Sequence, residues 1–304
     1  MTGGTGHLGS LLLRRLLADP AVSSITSVAR RPLGLTHPRL AHTSADLRAP
    51  EARRALAGVD ICYHLGFQLW AAGGADAMAD ANLRGTANVL AGRPGAVVFA
   101  SSAAVYGAWP DNPLPIREEH PARPNREVPY ARHKLEAESR CLDAAPTAVV
   151  RLGAVLGAHA DPAVIRSVAG YRVAVPAIRG VGQALQFLDE SDAVSALVAA
   201  GRLLLGRGAP DGGVVCNVAT SDWLSAVHIA AIAGGRVLPV PRRLLLPLSE
   251  AARRLRVLPF GADRAALIDG PLALDASRAG QLLGWTPTHT SASVLRKALG
   301  GGGE

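Results

Sequence analysis

Tyr130 and Lys134 have the residue types and the spacing for acid–base chemistry. They form a Tyr-x-x-x-Lys pair, and residues four apart lie on one face of a helix. An ammonium group beside a phenol favours the phenolate and so lowers the pKa of the tyrosine. Such a tyrosine can exchange a proton with a substrate hydroxyl or carbonyl near neutral pH. The pair therefore predicts acid–base catalysis, and a coincidental pair on a solvated helix is the alternative.

The Ser101-Ser102 pair adds hydroxyl groups that can work with such a tyrosine. It follows the apolar run 96–100, which predicts a buried β-strand. Ligands of parallel sheets bind at the carboxyl ends of the strands, so a hydroxyl there can hydrogen-bond a substrate oxygen. A serine that simply ends the strand is the alternative.

Residues 2–9 read T-G-G-T-G-H-L-G and predict a phosphate-binding turn that leads into a helix. Gly3 allows a tight bend, Gly6 lets the backbone approach a phosphate, and Gly9 permits close packing of the helix. The apolar face over 8–17 continues the helix, whose unpaired N–H groups form an anion site. Glycine-rich turns are also common in loops, so the motif alone leaves nucleotide binding open.

Only Met1 stands before this turn, where the central β-strand of the sheet is expected. Three explanations stay open: a start codon assigned too far downstream, a chain that folds with an incomplete sheet, and replacement of the strand by another segment. If the strand is truly absent, its neighbours lose backbone partners, and we expect weak cofactor affinity and poor solubility.

Strand-like and helix-like segments alternate along the first half of the chain, which predicts an α/β fold with a doubly wound parallel sheet. After Gly153 the pattern is less regular. The proline-rich segment 107–129 predicts a long functional loop. The predicted strands are 24–29, 60–65, 96–100, 147–152 and 214–218, and the predicted helices after the first are 50–57, 77–90 and 130–143.

Composition excludes several classes of protein. The chain has 304 residues, 49% of them hydrophobic and 18% charged, as in a soluble globular protein. No charge-free apolar run approaches the roughly 18 residues of a membrane span. The net charge of +8 is scattered, which disfavours nucleic-acid binding but suits an anionic ligand. Three separated cysteines suggest reduced thiols in the cytoplasm, and no metal-ligand spacing is present.

Taken in order, the motifs resemble the extended short-chain dehydrogenases/reductases of the NAD-dependent epimerase/dehydratase family. This resemblance implies a Rossmann-type sheet whose first strand is apparently missing, together with a smaller C-terminal substrate-binding lobe. The motifs that carry it are residues 2–9, Asp46-Leu47, 60–66 (DICYHLG), Asn82, 101–107 (SSAAVYG), Tyr130 with Lys134, 151–157 (RLGAVLG), 186–194 (QFLDESDAV), 217–219 (NVA) and 283–287 (LGWTP).

The resemblance also implies residue roles. Tyr130 is the general acid/base, Lys134 lowers its pKa and binds a cofactor ribose, and Ser102 orients the substrate oxygen. Asn82 has two alternative roles. It is either a structural residue that also takes part in a relay of water molecules, or an ordinary buried amide on a helix. The remaining cofactor contacts are Gly3, Thr5, Gly6, His7, Leu8 and Gly9 at the turn, Asp46 and Leu47 near adenine, and Leu65 and Gly66 near the ribose and diphosphate.

The same family pattern implies the domain boundaries and the assembly. The dinucleotide-binding domain takes residues 1–152 plus about 186–217, and the substrate-binding lobe takes 153–185 plus 218–299. Residues 300–304 form a flexible tail. A homodimer would pack through the helices 77–90 and 130–143, and we expect no nucleic-acid, membrane or metal partner.

Arg30 and Arg31 bear on the choice of cofactor. They directly follow the predicted strand 24–29. NAD enzymes typically carry an acidic residue at this position, which binds the ribose 2′-hydroxyl. Arginine can receive a 2′-phosphate instead, so NADP is favoured over NAD. A solvated arginine pair with NAD still bound is the alternative.

Three departures from the family pattern limit the reaction. Ala103-Ala104 replaces the acidic pair of the family's dehydratases, so dehydration is not expected. Leu185 replaces an arginine that clamps a sugar nucleotide, which puts that substrate class in doubt, and Gly153 replaces a proline. We therefore expect an NAD(P)-dependent oxidoreductase or epimerase that acts on a secondary alcohol or ketone, sugar-like substrates included. The alternative is a non-catalytic NAD(P)-binding regulator or redox sensor.

Overall fold

A computed structural model describes residues 1–69, 74–206, 212–255 and 261–300. Its first half alternates helices and strands. A π-helical turn, Asp80–Arg84, joins α3 to α4, and a 3₁₀ turn, Ala103–Tyr106, follows β4. The elements are α1 (His7–Leu17), β1 (Ile25–Ala29), β2 (Leu40–Ser44), α2 (Pro50–Ala55), β3 (Ile61–His64), α3 (Ala75–Ala79), α4 (Gly85–Leu90), β4 (Ala96–Ser102), α5 (Pro129–Ala144) and β5 (Thr147–Leu152).

The second half contributes shorter elements, two 3₁₀ turns (Gly170–Arg172 and Ala266–Ile268) and one long helix. The elements are β6 (Ala154–Leu156), α6 (Pro162–Ala169), β7 (Ala174–Ile178), β8 (Phe187–Asp189), α7 (Glu190–Leu205), β9 (Val214–Val218), α8 (Ala226–Ala233), β10 (Arg236–Val240), α9 (Arg242–Arg254), α10 (Ala262–Ala265), α11 (Ser277–Leu283) and α12 (Ser291–Ala298).

The main sheet is parallel and has two parts joined by Thr2. One part has the order β3-β4-β5-β9, and the other is the pair β1-β2. Thr2 bridges Val28 of β1 on one side and His64 of β3 on the other, both in the parallel sense. The backbone N–H of Gly3 donates to Val28 O, and that of Thr2 donates to Tyr63 O, each at 2.9 Å. Residues 1–3 thus occupy the position between β1 and β3.

Helices cover both faces of this sheet, so β4 and β5 are buried on both sides. Val98 and Val150 point toward the core formed with α1 and α7. Val97, Phe99 and Val149 point the other way, toward Ala137 and Cys141 of α5. This arrangement confirms the predicted α/β fold with a doubly wound parallel sheet.

The C-terminal half builds a second, smaller core from two short parallel pairs, β6-β8 and β7-β10. Its buried side chains include Leu156, Phe187, Ile229 and Leu295. Ala279 and Trp285, which the predicted boundaries assign to the substrate-binding lobe, pack into the main core instead. The proposed division into two domains remains a prediction.

Several predicted elements differ in extent from the observed ones. The predicted helix 77–90 is interrupted by the π-helical turn, and β2 was not predicted, because its mixed sequence LAHTS is only half-buried. Residues 107–128, all described, contain neither helix nor strand, as expected of the long loop. Residues 301–304 of the predicted tail lie outside the described residues. None of the described helices is long and apolar enough to cross a membrane.

Candidate active site

The glycines of the turn before α1 are required by close backbone approaches. Gly3 has a φ of +73°, and a Cβ there would lie 2.8 Å from the Gly66 nitrogen. A Cβ on Gly9 would lie 2.0 Å from the Gly3 carbonyl oxygen. Gly6 closes the turn by donating its N–H to Gly3 O at 2.9 Å. Side chains at Gly3 and Gly9 would therefore force this turn open.

The start of α1 is available to an anion. Its N-cap is Gly6, which provides no side-chain cap, and its first turn contains no acidic residue. Backbone N–H groups at a helix start, together with the helix dipole, favour negative charge. Thr5, His7 and Leu8 flank or form this first turn, as the predicted diphosphate contact requires.

The residues predicted near adenine and ribose lie beside the turn. Gly66 donates its N–H to the Thr2 hydroxyl at 2.9 Å, and a Cβ on Gly66 would meet the Leu47 side chain at 2.7 Å. Asp46 is held by Arg48, whose Nε lies 2.9 Å from a carboxylate oxygen. That contact lowers the pKa of Asp46. The Asp46 carboxylate is therefore engaged within the protein.

Arg31 reaches across the glycine turn, and both Arg30 and Arg31 are exposed. The Arg31 guanidinium donates to the Thr5 carbonyl at 2.8 Å. It lines a cavity of about 330 Å³ together with Ser10 and Arg14. Two arginines thus face the same cavity beside the phosphate-binding turn.

Tyr130 and Ser102 lie together at the carboxyl end of β4. Tyr130 is the second residue of α5, and its side chain hydrogen-bonds Ser102. The Ser102 hydroxyl also accepts from the Ala104 N–H at 3.2 Å. The Phe67 ring packs edge-on against Tyr130 with centroids 5.9 Å apart. The structure brings together the two hydroxyl groups that the sequence proposes for catalysis.

Lys134 lies one helical turn further along α5, beneath aromatic rings. Its Nζ donates to the Ala100 carbonyl at 2.5 Å and stands 3.9 Å from the Phe67 ring centroid and 4.6 Å from that of Phe99. Burial lowers the pKa of Lys134 to about 7. A sizeable fraction of this lysine is therefore neutral near physiological pH.

The expectation that Lys134 lowers the pKa of Tyr130 is wrong for the structure as it stands. Burial raises the pKa of Tyr130 to about 12, and the hydrogen bond with Ser102 opposes this only in part. The Lys134 Nζ is 5.7 Å from the Tyr130 ring centroid and directs its hydrogen bond to a backbone carbonyl. Because the Lys134 ammonium is distant from the Tyr130 ring and partly deprotonated, it does little to lower the pKa of the phenol.

Asn82 occupies the π-helical turn and holds the chain that follows β3. Its side-chain oxygen accepts from the Gln68 N–H at 2.6 Å, and its amide donates to the Gln68 carbonyl at 3.0 Å. The side chain is buried. These contacts agree with the structural role proposed for it.

A chain of hydrogen bonds, which the sequence did not predict, ties the glycine turn to the Asn82 turn. The Thr86 hydroxyl donates to Asn82 O at 2.7 Å, so it accepts from His64 Nε2 at 2.9 Å. His64 Nδ1 then accepts from the Thr2 hydroxyl at 2.7 Å. Burial lowers the pKa of His64 to about 3, so the ring is neutral and its tautomer is fixed.

A family model decides the relationship of this chain to known proteins. The model of the NAD dependent epimerase/dehydratase family matches residues 1–205. The chain belongs to this family. A search of curated proteins found no match.

Solved structures agree with the family assignment at the level of the fold. A UDP-galactose 4-epimerase is 22% identical with a TM-score of 0.70, covering 98% of this chain and 96% of that one. MoeE5 in complex with UDP-glucose and NAD is 21% identical with a TM-score of 0.73, covering 98% and 96%. A dTDP-glucose 4,6-dehydratase from Bacillus anthracis in complex with NAD is 18% identical with a TM-score of 0.70, covering 98% and 94%.

Among the departures from the epimerase/dehydratase pattern, Ala104 packs in the same cluster as Tyr130. Ala103 and Ala104 are buried in the 3₁₀ turn directly after Ser102. Leu185 forms backbone bridges to Leu224 and Leu272. These positions carry no charge, so neither an acid pair nor a cation is supplied there.

Proposed function

We propose that this protein is an NAD(P)-dependent oxidoreductase or epimerase that acts on a secondary alcohol or ketone, sugar-like substrates included. The observation that carries the proposal is the position of Tyr130 beside Ser102 at the carboxyl end of β4, one helical turn from a buried Lys134. Family membership supports the same reading.

The chain offers a fitting place for a dinucleotide. Gly3, Gly6 and Gly9 let the turn pack tightly against its own backbone and that of Gly66, and the start of α1 is uncapped. These residues would hold the diphosphate, with Leu47, Leu65 and Gly66 alongside. When bound, the nicotinamide accepts or supplies a hydride at the substrate carbon.

Tyr130 moves a proton to or from the substrate oxygen, and Ser102 orients that oxygen through a hydrogen bond. The phenol stays protonated at neutral pH because burial raises its pKa to about 12. The protein therefore rests in the form that can donate a proton to a carbonyl being reduced. Leu246 of α9 and Leu267 pack over the Tyr130 cluster and exclude water from one side of it.

NADP is the cofactor that this chain's own residues favour. Arg31 and Arg14 face one cavity beside the turn, and no acidic residue ends β1. Two guanidinium groups suit a 2′-phosphate. The structural neighbours MoeE5 and the dehydratase hold NAD, so competition between NADPH and NADH on wild type and on Arg31→Asp tests this choice.

The substrate class follows from what surrounds Tyr130. Without acidic groups at Ala103 and Ala104, loss of water from the substrate lacks an acid–base pair. The structural neighbours include proteins with UDP-glucose and UDP-glucuronic acid. We therefore expect oxidation, reduction or epimerisation of a sugar-like alcohol rather than dehydration.

Cofactor binding followed by turnover tests the proposal. Wild type should bind NADPH or NADH and turn over alcohols or ketones, and Tyr130→Phe should bind equally well while kcat falls by about 10²–10⁴-fold. Ser101→Ala provides a neighbouring control, because that hydroxyl contacts Glu138 rather than Tyr130. Tight binding without Tyr130-dependent turnover would favour a non-catalytic regulator or redox sensor.

A further inference from the structure

Large hydrophobic side chains are exposed together in the segment that runs from β10 into α9. Of the twelve that stand exposed among the described residues, five belong to residues 237–255. Exposed hydrophobic residues scattered singly are ordinary on protein surfaces, whereas a group of them marks an interaction site. The five, which are 37–75% exposed, are Val237, Leu238, Leu244, Leu248 and Leu255.

Three of these residues form a leucine stripe along α9. Leu244, Leu248 and Leu255 are spaced by four and then seven residues, which places them on one side of the helix. The neighbouring side packs inward, where Leu245 is buried with side chains of β7 and β10 and Leu246 joins the cluster around Tyr130. Packing within the chain therefore accounts for the inward side of α9, but not for the leucine stripe.

The same segment is basic. Residues 236–255 contain five arginines and one acidic residue, Glu250, so they carry a net charge of +4, half of the +8 of the whole chain. Ion pairs with Glu250 and Asp269 engage three of these arginines. Arg236 and Arg243 are exposed and have no ion-pair partner among the described residues. Positive charge is therefore concentrated here rather than scattered evenly along the chain.

Arginines stand beside the leucine stripe at both of its ends. Arg243 directly precedes Leu244, and Arg254 directly precedes Leu255. Successive residues are about 100° apart around a helix, so both arginines lie next to the stripe on the side away from the buried Leu245. Apolar and cationic groups thus share one exposed surface of α9.

We propose that α9 binds the surface of a membrane that contains anionic phospholipids, with the leucine stripe in the headgroup region and the arginines on lipid phosphates. Such helices bind by burying apolar area and by electrostatic attraction. A two-fold contact between two copies of α9 fits less well, because it would bring two basic segments together. The 13 residues of α9 are too few to cross a bilayer, so the helix lies on the lipid. This proposal replaces the sequence-based expectation of no membrane partner.

Membrane binding through α9 would also set the orientation of the proposed catalytic site. Leu246 of the same helix packs with Tyr130, so the site would lie close to the lipid surface. The proposal itself does not depend on the proposed function, because lipid binding requires neither the cofactor nor the phenol. Tyr130→Phe should therefore bind vesicles as wild type does, whatever its turnover.

Sedimentation of the full chain with lipid vesicles tests the proposal. Wild type should bind vesicles of phosphatidylcholine with one-third phosphatidylglycerol, and at least about tenfold more weakly those of phosphatidylcholine alone. The double variant Leu244→Gln with Leu248→Gln should bind the anionic vesicles about 10- to 30-fold more weakly, because two leucines no longer enter the lipid. Leu282→Gln is the matched control, since Leu282 is 40% exposed, as Leu244 is, but lies on α11.

The electrostatic part has its own pair of variants. Arg243→Gln should weaken binding to the anionic vesicles about fivefold, and added salt should weaken the binding of wild type further. Arg296→Gln is the control, because Arg296 is exposed on α12 and has no ion-pair partner among the described residues. It should bind as wild type does.

Three results would overturn the proposal. The first is equal or absent binding of wild type to vesicles with and without phosphatidylglycerol. The second is unchanged binding of the Leu244→Gln and Leu248→Gln double variant. The third is a wild type that is dimeric without lipid in sedimentation velocity while the double variant is monomeric, because a second copy would then cover the leucine stripe.

Discussion

Two buried cations, Lys134 on α5 and Arg151 on β5, have opposite environments. The Arg151 guanidinium contacts the Glu138 carboxylate at 2.7 Å and the Tyr106 hydroxyl at 2.8 Å, and these partners raise its pKa despite burial. Lys134 contacts a carbonyl and aromatic rings, and burial lowers its pKa to about 7. A paired cation stays charged and holds structure, whereas an unpaired one can lose its proton and serve chemistry.

Glu138 explains why the two cations differ. It lies one helical turn from Lys134 on α5, yet both of its oxygens accept hydrogen bonds from Arg151, and one also accepts from the Ser101 hydroxyl. Its charge favours protonation of Lys134 only from a distance. The carboxylate thus stabilises the structural cation and leaves the other available.

Arg151→Met tests whether the buried ion pair between Arg151 and Glu138 stabilises the fold. Removing one partner of a buried ion pair leaves Glu138 uncompensated, which should cost about 3–5 kcal/mol of unfolding free energy. Urea denaturation at pH 7.5 measures the loss. The double variant Arg151→Met with Glu138→Leu should recover much of it, and a single-variant loss below about 1 kcal/mol would contradict the role assigned to the pair.

Lys134→Met tests whether the second buried cation contributes to catalysis rather than to stability. The methionine fills the aromatic site but carries no ammonium group, so kcat should fall about 100-fold. The unfolding free energy at neutral pH should be equal to or higher than that of wild type, because the variant no longer buries an amine whose pKa is lowered. Steady-state kinetics and urea denaturation on the same preparation separate the two effects. An unfolding loss as large as that of Arg151→Met would show that both cations are structural.

The pH dependence of stability sharpens the contrast. The pKa of Lys134 is about 7 in the folded chain, below the ordinary lysine value of 10.5, so the unfolded chain binds more protons between these two pH values. The unfolding free energy of wild type relative to Lys134→Met should therefore rise from pH 7 to pH 9, by up to about 1.4 kcal/mol per pH unit. If the difference in unfolding free energy between wild type and Lys134→Met did not change from pH 7 to pH 9, Lys134 would be charged in the folded chain throughout this range. Arg151 contributes no slope in this window.

Phe67→Leu should have the smallest effect of these substitutions, a shift in the pH at which the unfolding free energy begins to rise. Its ring lies 3.9 Å from the Lys134 Nζ and stabilises the charged form by about 0.5–2 kcal/mol. Without the ring, the pKa of Lys134 should fall, and the rise in stability should begin at lower pH. Phe187→Leu in the second core is the control, since it should leave the onset unchanged even if it lowers stability.

The sequence predicted those elements whose burial is uniform along the strand. β5 and β9 have the predicted bounds because both are short, mainly apolar runs that are buried along almost their whole length. β2 escaped prediction because it is a half-buried strand paired only with β1 among the described strands. The glycine turn was predictable because Gly3 and Gly9 have local steric reasons to be glycine.

The electrostatics of the site depend on contacts between distant segments, so the sequence could not supply them. The Tyr130 and Lys134 spacing predicted a shared helix face, but not the Ala100 carbonyl that draws the lysine away from the phenol. The His7–Glu190 contact joins residues 183 apart in the chain. Neither residue stands in a local pattern that identifies the other.

The short junction formed by residues 1–3 has a consequence for the cooperativity of the sheet. β3, β4, β5 and β9 share continuous ladders, whereas β1 and β2 join them through Thr2 and its neighbours in residues 1–3. Cooperative opening units follow such boundaries in hydrogen-bond connectivity. The β1-β2 pair, which carries Arg30 and Arg31 at its end, is therefore the part of the sheet that can open while the strands beneath Tyr130 stay closed.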